Sequence, residues 1–502
     1  MTPPSSDHSL PALRARHGER YRWLLLLSVM VGTMAAIMSS TVINVAIPDM
    51  SHHFTLGQER AQWVTSGFMA AMTVSMLTTP WLLSRFGYRR TYVGCMWLLM
   101  VGGVAGGFAN DYPLVLAARV AEGLAAGVVQ PIPAIIILRA FQPHEQGRAS
   151  GIFGMGVVLA PALGPSIGGL LVDAFGWRSI FFMVVPFCIA SLWLAHRYVP
   201  TTSPGGVAAN AQGSGLDWLG LLLAAVGTLC LLNGLVELHG GAAATAAALL
   251  AGAACALVAF VGLQRRTLRA RRQQPDQGVD PLMNLSLFKD RRFAMGSIVA
   301  FIYGIALFGS TYLLPVYIQS GLGLSASYVG SILLPAGLVL AVTIAMVGRL
   351  ADRQPTHRLV SIGLVLLSAS FALMVTLDPG RPTQIFALLV AWAVLGRIGL
   401  GFILPSLNIG AMRGLQSVDI AQGASVINFL RMLGGAAGVS LCGIVLEWRL
   451  AAHGAQITTG GAATAERIMA FEETFLMLAA ICALALTAAL RLKPGATPHA
   501  SQ

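Results

Sequence analysis

The stretch Trp23-Leu-Leu-Leu-Leu-Ser-Val-Met-Val-Gly-Thr-Met-Ala-Ala-Ile-Met-Ser-Ser-Thr41-Val-Ile-Asn44-Val-Ala-Ile-Pro48 contains no Asp, Glu, Lys or Arg. As a helix rising about 1.5 Å per residue it outruns the roughly 30 Å hydrocarbon core of a bilayer. A helix closes its backbone hydrogen bonds internally, which that solvent requires. Residues 61–84, 91–110, 149–172, 240–264 and 359–377 are equally free of charge. Residues 293–348 are uncharged too, but too long for one helix, and the turn residues of Gln319–Ser327 split them. The pattern predicts fourteen helices centred near residues 36, 70, 100, 126, 160, 187, 227, 252, 306, 338, 368, 398, 432 and 482. The fold class expected is an all-α polytopic membrane protein.

Composition agrees. Of 502 residues, 56% are hydrophobic and 10% charged, against roughly 25% charged in soluble domains. An outer-membrane barrel would alternate in segments of about ten residues, and these runs do not. The first run is longer than the roughly 7–15-residue core of a secretory signal and has no small-residue cleavage site, so it is expected to stay in the mature chain. Cys95, Cys188, Cys230, Cys255, Cys442 and Cys482 fall in apolar runs without paired spacing. They read as packing residues, and no metal site is expected.

With an even number of spans both termini share one side. That side receives 24 of the 32 Lys and Arg, the other side 5, and 3 (Arg119, Arg397, Arg431) fall inside spans. The asymmetry places both termini in the cytoplasm. The cluster Arg265, Arg266, Arg269, Arg271 and Arg272 reads as an anchor to membrane lipid rather than a nucleic-acid site.

The organisation expected is a tail (1–21), a six-helix half (22–200), a Gly/Ser-rich linker (201–216), two inserted helices (217–264), a basic loop (265–292), a second six-helix half (293–491) and a tail (492–502). The halves repeat one another. The loop after span 2 carries Arg85, Gly87, Arg89 and Arg90, and the loop after span 10 carries Gly348, Asp352, Arg353 and Arg358. Span 4 holds Arg119, Gly123 and Gly127, and span 12 holds Arg397, Gly399 and Gly401. Duplicated halves around a central site are a sign of a secondary transporter.

Charged residues inside spans are costly and are functional candidates. Four qualify: Arg119, Glu122, Arg397 and Arg431. Arg119, Glu122 and Gln130 share one helical face, which is expected to look into a cavity. Burial and a neighbouring guanidinium act oppositely on a carboxyl, so Glu122 can be tuned to load and release a proton. The alternative is a static Arg119–Glu122 pair. None of the ten histidines lies mid-span.

Further motifs are Ser39-Ser-Thr41-Val-Ile-Asn44 in span 1, Gly151 with Gly164-Pro165-Ser-Ile-Gly168-Gly169 in span 5, Tyr312-Leu-Leu-Pro315-Val-Tyr317 in span 9 and Asn428, Arg431, Gly434-Gly435 in span 13. In order and spacing, residues 20–490 resemble the major facilitator superfamily and, more narrowly, the fourteen-span drug/proton antiporters of the EmrB/QacA type.

The resemblance implies two six-helix halves plus two inserted helices, and proton-coupled multidrug efflux by alternating access. It makes Gly151, Gly164, Pro165, Gly168 and Gly169 an antiporter motif that limits leakage, with ordinary tight packing as the alternative. It makes Arg85, Gly87, Arg89, Arg90, Gly348, Asp352, Arg353 and Arg358 cytoplasmic gating motifs, with simple topology anchoring as the alternative. Many relatives carry Asp at Ser39 and Gln at Glu122, so the acid has moved, and Glu122 with Arg119 becomes the expected proton-coupling site.

The substrate pathway implied is Thr41, Asn44, Gln130, Tyr303, Tyr312, Arg397 and Asn408. Substrates expected are amphipathic monovalent cations or neutral compounds, and three buried arginines keep an anion open. A dedicated exporter of one metabolite, siderophore, organic acid or self-made antibiotic is the alternative. No catalysis and no cofactor is expected, the proton gradient supplying the drive. The outer segment of about Glu447 to Glu473 is available to a periplasmic adaptor and outer-membrane channel.

Overall fold

The computed structural model describes residues 9–56, 58–201, 215–239, 243–273, 279–377, 382–455 and 464–492. Residues 1–8 of the expected N-terminal tail, 493–502 of the C-terminal tail and most of the expected linker lie outside that set. The elements are α1 (Leu10–His17), α2 (Tyr21–His53), α3 (Gln58–Ser75), α4 (Thr79–Gly107), α5 (Tyr112–Val129), α6 (Ile132–Ala140), α7 (Gln146–Phe175), α8 (Ser179–Tyr198), β1 (Gly215–Leu216), α9 (Trp218–His239), α10 (Ala243–Gln273), β2 (Val279–Asp280), α11 (Arg291–Val316), α12 (Ala326–Ala351), α13 (Thr356–Leu373), α14 (Pro382–Met412), α15 (Ile420–Ala452) and α16 (Ala465–Leu490). Counting α5 with α6 as one crossing and leaving out the short α1, fourteen helical segments build a multi-pass membrane protein. Eleven helical segments among the described residues are long and apolar enough to cross a bilayer by length and composition alone, and α3, α4 and α7 complete the bundle.

Local sequence explains the breaks. Asp111 caps α5 by accepting from the Leu114 amide at 2.8 Å, and Asp290 caps α11 through the amides of Arg292 and Phe293. Pro131 interrupts the α5–α6 crossing because it has no amide hydrogen to give. A π turn at Tyr317–Gly321 separates α11 from α12, where the turn residues predicted a split. Two expectations change. The segment after span 2 is mostly helix: Pro80–Phe86 belongs to α4, and the chain reverses at Gly87, whose φ of 78° suits glycine. The outer segment expected over 447–473 is shorter, because α15 continues to Ala452 and α16 starts at Ala465.

The two halves pair their helices alike. In the first, α2 packs on α5, α7 and α8, while α5 packs on α3 and α4 and α4 on α8. In the second, α11 packs on α14, α15 and α16, while α14 packs on α12 and α13 and α13 on α16. Matching α2 with α11, α3 with α12, α4 with α13, α5–α6 with α14, α7 with α15 and α8 with α16 maps one set onto the other. Across the seam α7 meets α12 and α3 meets α15, which is again the same contact under exchange of halves. Helices α9 and α10 form a hairpin, with α9 resting on both α3 and α15. Its base is tied by the parallel pair β1–β2 and by Gln264, which donates to Asp217 at 2.6 Å.

The halves join at the face that carries both described chain ends. Leu10, Leu13 and Tyr21 share a core cluster there with Met412, Ile420, Ala421 and Ala424 of the second half, and Arg139 donates to the Ser417 carbonyl. The closest approach is α7 on α12. A Cβ on Gly348 would lie 2.5 Å from the Gly147 carbonyl oxygen and 2.6 Å from Gly151 Cα. Without the hydrophobic effect between lipid-solvated helices, such close backbone contact is what holds them.

Gly348→Ala is expected to destabilise the protein by roughly 1–3 kcal/mol through overpacking. Gly169→Ala, whose Cβ would meet nothing within 4 Å, leaves stability unchanged or raised. Thermal unfolding of the purified protein separates the two.

Candidate functional site

The strongest polar cluster lies inside the first half. Arg119 on α5 is 2% exposed and Glu122, one turn on, 1%. Arg119 Nη1 donates to Glu122 Oε2 and, at 2.7 Å, to the Ser39 hydroxyl of α2. Its Nη2 donates to the Ser39 carbonyl at 3.1 Å and its Nε to the Val64 carbonyl of α3 at 3.5 Å. The guanidinium also lies 4.2 Å over the Phe68 ring of α3, a cation–π contact. The Ser39 hydroxyl donates to Glu122 Oε2 at 3.1 Å. The other carboxyl oxygen, Oε1, is buried with no hydrogen-bond partner. Gly102 and Gly103 of α4 leave the room it occupies: a Cβ on Gly102 would lie 2.8 Å from Glu122 Cγ.

The cavity beside the Arg119–Glu122 pair is small and is lined by Ser39, Val42, Ile43, Ile180, Phe181 and Val184. Helical spacing groups residues on a face without saying which neighbour that face meets. Here the neighbours are α2, α3, α4 and α8, which neutralise and cover the pair.

The residues named for the substrate pathway are dispersed. Thr41 is half-buried, bonded to its own helix and next to Gly164. Asn44 is exposed and accepts from Thr65 at 3.1 Å. Gln130 is half-buried where α5 gives way to α6. In the second half Tyr303 is buried, and Tyr312, Arg397 and Asn408 are half-buried. Arg431 of α15, also half-buried, donates to Asn428 Oδ1 at 2.6 Å on its own helix.

The span-5 motif divides between two partners. Gly164 and Gly168 face Thr41 and Val42 of α2, whereas Gly151 faces α12. Gly169 faces open space, and the side chain of Pro165 lies outside the described residues.

The loop motifs also differ. Asp352, at the end of α12, accepts from the backbone amides of Gly147 at 2.6 Å and Arg148 at 2.9 Å. It thus satisfies two of the free donors at the N-terminus of α7, on the other half. Gly348 makes the crossing beside it, while Arg353 and Arg358 are exposed. In the first copy Arg89 donates to the His196 carbonyl at 3.0 Å within its own half, Arg85 is half-buried and Arg90 exposed. The inter-half contacts of Arg139 and of the Gly147 and Arg148 amides carry no sequence signal, because partners more than 200 residues apart meet only in the fold.

Burial outweighs the two amide donors on Asp352, and the carboxyl is held above its ordinary 3.8. The contact therefore binds a proton more tightly than an exposed aspartate does. Its contribution to closing this face is fully present below about pH 3.8 and is lost as pH rises through the raised value. Hydrogen-exchange protection of the first turns of α7 is expected to fall over that window, and Asp352→Asn removes the slope. Separately, Arg119→Met strands a buried carboxylate and is expected to destabilise the protein by about 3–5 kcal/mol, most of it recovered when Glu122→Leu is added. Equilibrium unfolding in mixed micelles measures both, and strictly additive losses would contradict the pairing.

The family model for the Major Facilitator Superfamily matches residues 29–439. The chain is 28% identical over 439 residues to the MFS-type transporter YhcA of Bacillus subtilis (strain 168), covering 86% of this chain and 78% of that one. It is 27% identical over 436 residues to the multidrug export protein EmrB of Haemophilus influenzae, covering 87% and 82%. Among solved structures it is similar to the human organic anion transporter MFSD10, with a TM-score of 0.64 at 15% identity over 93% of this chain and 99% of that one, a likeness of fold. With a matching family model over most of its length and the same paired six-helix halves, this chain belongs to the major facilitator superfamily of transporters.

Proposed function

We propose that the protein exports amphipathic compounds across the cytoplasmic membrane in exchange for protons, with both termini in the cytoplasm and the two halves rocking about the α7–α12 and α3–α15 seams. The observation that carries the coupling is Glu122 Oε1, a carboxyl oxygen buried without a partner beside a guanidinium. A buried unpaired acceptor is costly, and a proton relieves it. Protonated, Glu122 leaves Arg119 as the only net charge of the cluster; deprotonated, the pair is neutral. The cluster thus has two charge states for the two directions of access. Ser39 holds both partners and acts as a positioning residue.

Export is supported by the relatives whose names record multidrug export and resistance. The sidedness rests on the excess of Lys and Arg in the segments on the face of the termini. A single carboxylate already engaged by Arg119 leaves no counter-charge for a doubly cationic drug, so neutral or singly charged compounds fit. A dedicated exporter of one organic acid is the second reading, favoured by Arg397 and Arg431, which no salt bridge among the described residues reaches.

In proteoliposomes, an imposed pH gradient is expected to drive ethidium or an amphipathic acid against its gradient. In Glu122→Gln that drive falls to the level of protein-free liposomes, while gradient-free counterflow persists. Undiminished pH-driven transport by Glu122→Gln would overturn the coupling role.

A further inference from the structure

A groove of 420 Å³ lies at the face of the described chain ends, where α3, α4 and α5 meet α9. The residues that leave it open are Ser75 and Ala125, both buried, and Gly94, around whose Cβ position nothing lies within 4 Å. The large apolar side chains along it, Phe86, Leu98 and Leu124, are 46%, 40% and 42% exposed. Leu221 of α9 lines it as well, so the groove occupies the angle between the first half and the hairpin.

The groove makes one polar demand. The hydroxyls of Ser75, Thr78 and Thr91, which line it, donate to the carbonyls of Met72, Ser75 and Leu82 at 3.2, 2.7 and 2.9 Å. Arg90, which also lines it, is exposed and among the described residues makes no hydrogen bond or ion pair. Its neighbours in the same motif, Arg85 and Arg89, have partners. The helix restarts after the reversal at Gly87, so the positive end of its dipole lies beside Arg90 and an anion there answers both. From Arg90 to Leu98 the groove follows the helix for about 12 Å, within the depth of one leaflet of a hydrocarbon core roughly 30 Å thick.

We propose that this groove binds an anionic phospholipid, with one acyl chain lying against Gly94 and Leu98 and the phosphate held by Arg90. The proposal needs only that the chain spans a bilayer and is independent of the transport reading. An acyl chain gains little by leaving one apolar surrounding for another, so the groove supplies position and Arg90 supplies selection. A guanidinium fork matches phosphate oxygens. A zwitterionic headgroup brings its own cation beside Arg90, so the anionic lipid is preferred.

The test places the protein in phosphatidylcholine nanodiscs holding a trace of phosphatidylglycerol or of phosphatidylcholine, each with a diazirine midway along one acyl chain. After illumination, peptide mass spectrometry compares label at Leu98 and Leu124 with label at the exposed Leu484 of α16. Relative to Leu484, phosphatidylglycerol is expected to label the groove at least about fivefold more than phosphatidylcholine does. Arg90→Gln brings that ratio to one and leaves phosphatidylcholine labelling as it was, while Arg90→Lys keeps part of the preference. Gly94→Leu fills the groove and removes label at Leu98 and Leu124 for both lipids, with label at Leu484 and the unfolding temperature unchanged. A ratio near one in the wild type, a preference that survives Arg90→Gln, or groove label that survives Gly94→Leu overturns the proposal. So does loss of the preference in excess glycerol phosphate, which would make Arg90 a site for free phosphate.

Discussion

A guanidinium taken out of water must find its counter-charge and hydrogen-bond acceptors in the protein, and the arrangement of the first half follows from that demand. Arg119 gathers a carboxylate from its own helix, the hydroxyl and carbonyl of Ser39 from α2, and a carbonyl and an aromatic face from α3. Three helices are thereby fixed about one side chain. Desolvating such a pair costs several kcal/mol per ion, and excellent geometry is needed to offset it. The one position left unmet is Glu122 Oε1.

The second half keeps the helix pairing of the first and not its charges. α11, α14 and α15 occupy the places of α2, α5–α6 and α7, but where the first half holds a neutral pair the second holds two cations and a phenol. Duplication thus supplies the frame, and the halves diverge in charge: an ion pair sealed within the first half and two cations, Arg397 and Arg431, in the second. The seam closes at glycine. Gly147, Gly151 and Gly348 let α7 and α12 touch backbone to backbone, and Asp352 caps the first turn of α7 across the same contact.

Much of this was legible in the sequence. Uncharged runs marked the crossings, since the bilayer penalises each buried charge, and the same penalty singled out Glu122 and its Arg119 neighbour. Asp352 stood out as the acid of the second loop motif. What sequence left open was direction. Spacing of Arg119, Glu122 and Gln130 placed them on one face, but only packing shows that Arg119 and Glu122 meet Ser39, Phe68 and Gly102 around a small cavity. The helix at Pro80–Phe86 hid behind its arginines, because charge signals a loop at a membrane surface and helices also end there. The amides that hold Asp352 belong to backbone, which has no sequence signature.

The central claim is that two rigid halves rock about this seam. Pulsed electron–electron resonance tests it with spin labels at the exposed His144 and Arg353 on the face of the termini, and at the exposed Thr55 and Ser325 on the opposite face. Rocking predicts that, when pH or substrate shifts the population, one inter-half distance lengthens while the other shortens. Two distances that stay fixed, or that change in the same sense, would contradict it.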